Sequence, residues 1–160
     1  MEQRIDHSVL GLIIAEKWEW RVQQRISFPC AGYATKEISI VEASPDGPNA
    51  KQLDALVDLI ERPVSFRDTI ANAIFSAYVQ EIRPEYFEIL SDTRYDYGVT
   101  LADLPEVTEP KGIWDFVTGL YSIWVTEDAL VDVQFSVTFD QEHELHVEFK
   151  DGVIDRVWME

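Results

Sequence analysis

The sequence predicts an α+β domain, with N-terminal β-strands, a central helical hairpin and a C-terminal four-stranded antiparallel meander packed against the helices. Two observations lead to this prediction. Near both ends of the chain, apolar residues alternate with polar ones, which is the pattern of half-buried strands. In the middle, apolar residues recur every three or four positions, which is the period of an amphipathic helix. At 160 residues, the chain is expected to form a single domain, residues 1–160.

The N-terminal third is predicted to be β-structure. The apolar run at residues 9–15 is short, which favours a buried strand over a helix. Residues 18–30 alternate and are predicted to return as a second strand. We expect a kink near Pro29, because proline cannot donate a hydrogen bond to a central ladder. A third strand is predicted at residues 38–40.

The centre of the chain is predicted to be a helical hairpin. Asn49 caps the first helix, and Gln52 stands three residues later as the partner of a capping box. Ser65 is expected to cap the second helix. That helix should stop at or before Arg83, because the following residue is proline.

Residues 120–158 are predicted to form the four strands of the meander. An Asp-Gly pair at residues 151–152 indicates a two-residue hairpin turn. This turn predicts three cross-strand pairs: Phe149 with Ile154, Leu145 with Trp158, and Glu148 with Asp155. Three-residue loops at residues 127–129 and 140–142 predict five more: Val125 with Val131, Ile123 with Val133, Val137 with Leu145, Phe135 with Val147, and Val133 with Phe149. In this register the apolar residues share one face, because a one-residue slip would turn a strand over.

The opposite face of this sheet is predicted to be polar. It carries the side chains that point away from the core: Trp124, Asp132, Gln134, Glu144, His146, Glu148 and Asp155. One interpretation is a solvated face, since antiparallel sheets often expose one side to water. The other interpretation is a surface that meets a positively charged partner.

The charge is large and unevenly distributed. The net charge is −17, and residues 85–160 hold 18 acidic residues against 4 basic ones. Such a field repels nucleic acid and anionic membranes and attracts basic surfaces. We therefore expect no nucleic-acid partner and no membrane partner. The N-terminus lacks the pattern of a secretory signal, so a cytoplasmic location is expected.

A long loop rich in tyrosine and carboxylates is predicted at residues 92–109. Its candidate partner-binding residues are Asp92, Tyr95, Asp96, Tyr97, Asp103, Glu106 and Glu109. Tyrosine offers rigid contact area at a low cost in conformational entropy, which suits a protein interface. The alternative is that the tyrosines attach the loop to the core.

The sequence predicts no catalytic, metal or cofactor site. Cys30 is the only cysteine, and it is expected to be a small buried side chain. No serine stands in a nucleophile motif. His143 and His146 are three positions apart, whereas the zinc motif of metalloproteases needs histidines four apart on a helix. We therefore do not expect an enzyme.

The segment from residue 113 to residue 157 resembles a family of small bacterial domains that are often classed with the immunity proteins of polymorphic toxin systems. Its strands flank Asp140-Gln141-Glu142-His143-Glu144-Leu145, followed by an Asp-Gly hairpin. The family pattern is Trp-Asp-Glu-Glu-His-Gly-Leu, so Phe139 replaces the tryptophan and Glu144 replaces the glycine. The resemblance implies a protein that neutralises a toxin by binding it.

Three functions remain open at this point. The first is an immunity protein whose acidic, aromatic-containing surface docks onto a basic toxin domain such as a nuclease. The second is a small enzyme or ligand-binding domain, with a cleft between sheet and helices near Glu144, His146 and Glu148. The third is a DNA mimic that blocks a nucleic-acid enzyme.

Overall fold

A computed structural model describes residues 3–28, 30, 32–34 and 37–160. The strands in these ranges are β1 (Arg4–His7), β2 (Gly11–Glu16), β3 (Glu19–Val22), β4 (Ser27–Phe28), β5 (Tyr33–Ala34), β6 (Glu37–Val41), β7 (Val117–Val125), β8 (Val131–Val137), β9 (Leu145–Lys150) and β10 (Val153–Met159). The predicted kink at Pro29 lies outside the described residues.

Eight of the described strands form one mixed sheet in the order β1-β2-β3-β6-β7-β8-β9-β10, and β4 pairs with β5 separately. Neighbouring strands of the large sheet are antiparallel except β6 and β7, which run parallel. The N-terminal and C-terminal strands are therefore joined into a single sheet, and with the helices they form an α+β fold. A parallel pair needs a long crossover, and the chain between β6 and β7 contains the helices.

The first two helices are α1 (Ala50–Ile60) and α2 (Phe66–Ala77). The predicted capping box of α1 is confirmed. The N–H of Gln52 donates to Asn49 Oδ1 at 2.9 Å, and the N–H of Asn49 donates to Gln52 Oε1 at 3.0 Å. Gln52 is buried and also donates to the Val41 carbonyl, which ties the helix start to β6. Ser65 stands at the N-cap position of α2 as predicted, but its side chain makes no capping hydrogen bond.

The second helix ends at Ala77, before Arg83 as predicted, but the helical chain continues past this point. A π-helical segment, Tyr78–Ile82, joins α2 to α3 (Arg83–Ser91). Proline is tolerated there because Pro84 lies in the first turn of α3, where an N–H is not needed, and a π-bulge adapts the hydrogen-bond ladder. Tyr78 is buried, and its hydroxyl donates to the Pro105 carbonyl at 2.7 Å. None of the helices in the described ranges is long and apolar enough to cross a membrane.

The core lies on one face of the sheet. Two 3-10 helices, Leu101–Asp103 and Pro110–Asp115, follow α3, and α2 packs against the second of them and against β10. The largest buried aromatic side chains include Tyr78, Phe116 and Phe139, whose rings contact one another. Cys30 is buried as expected.

The register between β7 and β8 is as predicted, with Val125 opposite Val131. Between β8 and β9 the prediction is wrong, because Phe135 pairs with Leu145 and not with Val147. The connection between these strands spans residues 138–144 and is longer than three residues. It is longer because Phe139 turns into the core, and a shift of two residues keeps every side chain on its predicted face.

The Asp-Gly turn is confirmed between β9 and β10. Asp151 and Gly152 both have positive φ angles, 50° and 76°, and Phe149 lies opposite Ile154. Beyond this pair, a β-bulge at Asp155 shifts the register, so two predicted pairs are wrong: Glu148 lies opposite Arg156, and Leu145 lies opposite Met159. The bulge avoids two like charges facing each other and places opposite charges there instead.

Candidate functional site

The candidate residues in the loop after α3 are mostly exposed. Tyr95 and Tyr97 expose 62% and 47% of their surface, so they do not attach the loop to the core. Leu104 is the buried residue of this segment. Four carboxylates of this segment have a partner: Asp92 pairs with Arg94, Asp103 with the Thr100 hydroxyl, Glu106 with Arg83, and Glu109 with Lys111.

The candidate residues on the sheet do not form the fully exposed face that the alternation predicts. Trp124 is 46% exposed and Asp155 is exposed, but Asp132 and His146 are only 9% and 5% exposed. Glu144 and Glu148 are half-buried. The expectation that Asp132 and His146 lie on a solvated docking surface is therefore wrong.

Instead, Asp132 and His146 belong to a buried chain of hydrogen bonds. The Ser122 hydroxyl donates to Gln134 Oε1 at 2.5 Å, and Gln134 Nε2 donates to Asp132 Oδ2 at 2.9 Å. His146 Nδ1 lies 2.8 Å from the same oxygen. The His146 ring stacks on Trp158, with centroids 4.0 Å apart. These groups are almost excluded from solvent, so their polar atoms need partners within the protein.

A second histidine–aspartate pair lies in the loop at residues 138–144. Asp140 accepts hydrogen bonds from the Tyr86 hydroxyl at 2.5 Å and from the N–H groups of Glu142 and His143. His143 Nδ1 lies 3.0 Å from Asp140 Oδ2. The carboxylate thus joins α3 to the loop and orders the loop's backbone.

These contacts shift three pKa values. Burial, together with donation to the Asp140 carboxylate, raises the pKa of the Tyr86 hydroxyl. Burial opposes ionisation of Asp140, but the hydrogen bonds from Tyr86, His143 and the loop N–H groups outweigh it and hold the pKa below its ordinary value. The hydrogen bond to Asp140 and the charge of that carboxylate raise the pKa of His143.

Next to the Asp140 pair is a groove of about 640 Å³ between α3, the segment at residues 96–99 and the loop at residues 140–143. Its carboxylates are Glu85, Asp96, Asp140, Glu142 and Glu160. Its apolar residues are Ile89, Leu90, Val99 and Met159, with Tyr86 and Tyr97 beside them. No lysine or arginine is among these described lining residues.

The groove brings together only part of the predicted set. Asp96 and Tyr97 lie in it, whereas Trp124, Asp132 and Glu148 do not. Sequence reasoning missed Tyr86, Asp140, His143 and Glu160. The spacing of Asp140 and His143 was a usable signal, because an aspartate commonly accepts from N–H groups two and three residues later. Nothing local points to Tyr86 or Glu160, since tertiary packing brings them there.

Fold and groove together define a small acidic α+β domain with a concave, carboxylate-rich surface. The chain belongs to the family described as "Domain of unknown function (DUF6985)", which it matches over residues 9–158. The comparisons found no curated protein and no solved structure that matches it. Because the family description gives no function, it adds no support to the resemblance to immunity proteins.

Proposed function

We propose that this protein is an immunity protein that binds a cognate bacterial toxin and neutralises it. The observation that supports the proposal is the groove, which combines five carboxylates with apolar side chains. Lysine and arginine carry a charged head on an apolar stem, so a surface of this mixture suits basic side chains from a partner. The residues proposed to meet the toxin are Glu85, Asp96, Tyr97, Glu142 and Glu160.

The surroundings of the groove favour a protein partner. Tyr95 lies next to it in the chain, with its ring 6.1 Å from that of Tyr97, and both rings are exposed. Phe87 is also exposed, on the helix that lines the groove. Exposed aromatic side chains supply most of the affinity at many interfaces, while complementary charge mainly raises the association rate.

The target proposed here is a basic effector domain such as a nuclease. A nuclease binds polyanionic phosphates through basic residues, and a row of carboxylates can occupy the same residues. The excess of acidic residues in the second half of the chain would attract such a surface over long range at low salt.

The test is co-expression with the product of the adjacent open reading frame. The informative variant is Glu85→Lys with Glu142→Lys, which reverses two exposed charges of the groove. The matched control is Asp54→Lys with Glu127→Lys, which makes the same change in net charge at exposed positions outside the groove. Wild type and control should protect growth, and the groove variant should bind at least about tenfold more weakly.

Three results would overturn the proposal. The first is that the adjacent product is harmless when it is expressed alone. The second is that it stays toxic beside the wild-type protein. The third is that the groove and control variants lose protection equally.

A further inference from the structure

Three side chains that can bind a metal ion meet where β9 begins and β10 ends. One ligand atom each from Glu144, His146 and Glu160 lies within 4.8 Å of the other two. The strand register explains this convergence. Glu144 directly precedes β9 and stands two residues before His146, so their side chains point to the same side of the sheet. The N–H of Glu160 donates to the Glu144 carbonyl at 3.4 Å, which makes Glu160 its cross-strand neighbour.

His146 is the residue that distinguishes this cluster from an ordinary acidic patch. It is 95% buried (5% exposed), and its Nε2 atom has no hydrogen-bond partner among the residues that the structure describes. This atom lies 4.0 Å from Glu160 Oε2. A buried polar atom without a partner is costly, so its orientation toward two carboxylates requires an explanation.

The other ring nitrogen shows where one imidazole proton lies. Nδ1 lies 2.8 Å from Asp132 Oδ2, and an ionised carboxylate can only accept a hydrogen bond. One proton is therefore on Nδ1, which leaves Nε2 as the ring atom that a metal ion would bind. Stacking on Trp158, with an interplanar angle of 16°, holds the ring in this orientation.

The two carboxylates give a second reason to expect a cation. Like charges on neighbouring strands destabilise a sheet, and Glu144 and Glu160 are such a pair. A cation bound between them would turn this repulsion into attraction on both strands.

We propose that Glu144, His146 and Glu160 bind a divalent transition-metal ion, for which Zn²⁺ is the best match. Zinc accepts one imidazole with carboxylates, whereas Mg²⁺ and Ca²⁺ prefer oxygen ligands alone. Zinc–ligand bonds of about 2.0–2.2 Å require the ligand atoms to approach to about 3.4 Å. Glu160 can make this movement, because 64% of its side chain is exposed.

Asp132 is assigned the role of a positioning residue. Histidines that bind metals usually donate their second N–H to a carboxylate, which fixes the tautomer and the ring orientation. Gln134 in turn donates to Asp132, and Ser122 donates to Gln134. This buried chain gives the site a rigid base, while water would complete the coordination of the ion.

The test uses the full chain without a polyhistidine tag, after a chelator has removed any bound metal. The protein is titrated with Zn²⁺, and binding is measured by isothermal titration calorimetry. We expect one site per chain. Glu160→Gln should weaken binding more than tenfold, and Asp132→Asn by about 10–100-fold. The matched controls are Glu142→Gln and His143→Gln, which remove the neighbouring carboxylate and the neighbouring imidazole but none of the three proposed ligands. They should lower the affinity far less than Glu160→Gln does.

Because Glu160 is largely exposed, its variant should fold, and the result can be interpreted even if buried substitutions do not. Absence of Zn²⁺ binding by the wild type would overturn the proposal, as would equal losses in Glu160→Gln and Glu142→Gln. The titration needs no partner protein, so its outcome is independent of the proposed toxin binding.

Discussion

His143 and His146 are three residues apart, and each places its Nδ1 about 3 Å from an aspartate, yet their surroundings differ. His143 is exposed in the loop, and its aspartate, Asp140, also accepts bonds from Tyr86 and two N–H groups. His146 is buried in β9, and its Nε2 faces Glu144 and Glu160.

The comparison shows that one pair of residue types can serve two purposes. In the loop, the aspartate is the centre of the arrangement, and the histidine is one of several donors that satisfy it. In the strand, the histidine is the centre, and the aspartate positions it. The first arrangement stabilises the wall of the groove, and the second leaves the Nε2 atom of His146 without a hydrogen-bond partner among the described residues.

The largest expected effect on stability comes from removing a ring that supports the loop pair, His143 and Asp140. Phe139→Ala deletes a fully buried ring that contacts Tyr78, Tyr86 and Phe116. We expect the free energy of unfolding to fall by about 3–5 kcal/mol in urea denaturation. Phe87→Ala, at a half-exposed ring of α3, should cost about 0.5 kcal/mol. Similar losses in the two variants would contradict this account of the loop.

The next largest effect on stability concerns the strand pair, His146 and Asp132. Asp132→Ala leaves the buried Gln134 amide and the His146 N–H without their acceptor. We expect a loss of about 1–3 kcal/mol in unfolding free energy for each group that stays unpaired. Asp155→Ala, at the exposed bulge of the neighbouring strand, should change stability by less than about 0.5 kcal/mol. If Asp132→Ala is equally neutral, the buried chain does not position His146.

Tyr86→Phe tests the loop pair without creating a large cavity. It removes the hydrogen bond to Asp140 and should cost about 1.5 kcal/mol at neutral pH. The pKa of Asp140 is lowered by folding, so its stabilisation is present above the ordinary unfolded value of about 3.9 and is lost as the pH falls through the lowered value. The difference between wild type and Tyr86→Phe should therefore shrink in acid, measured as denaturation midpoints from pH 7 downward. A difference that stays constant would contradict the assignment.

The smallest effect is on the charge of His143. Asp140→Asn should lower the pKa of His143, since the carboxylate is the main cause of its raised value. A raised pKa stabilises the fold below the unfolded value of about 6.5, and this stabilisation is lost as the pH rises through the folded value. Because the ring is exposed, this stabilisation is less than about 1 kcal/mol. An NMR titration of the imidazole measures the shift, and Asp155→Asn should leave it unchanged.

The sequence predicts those features that depend on short-range chemistry. The Asn49–Gln52 capping box, the Asp-Gly turn and the pairing of Val125 with Val131 are all local, and each is present. The errors arise where tertiary packing changes a local pattern. Phe139 enters the core and lengthens its loop, and the bulge at Asp155 changes the partner of Glu148.

The groove and the buried residues beside it were harder to predict, because they too depend on tertiary packing. Alternation correctly placed Asp132, Glu144 and His146 on one face, but it could not show that two of them are buried under their neighbours. Tyr86 and Glu160 come to the site from a helix and from the last strand's end, with no signal in their own surroundings. The charge of the second half was visible, whereas the groove that concentrates it depends on the whole fold.

The most direct test of the difference between the two pairs is the side-chain ¹⁵N NMR spectrum of His143 and His146, recorded before and after one equivalent of Zn²⁺. The account predicts that the Nε2 resonance of His146 moves strongly while its Nδ1 keeps a proton bonded to Asp132, and that both nitrogens of His143 move far less. Movement of the His143 resonances instead, or no movement in either ring, would contradict it.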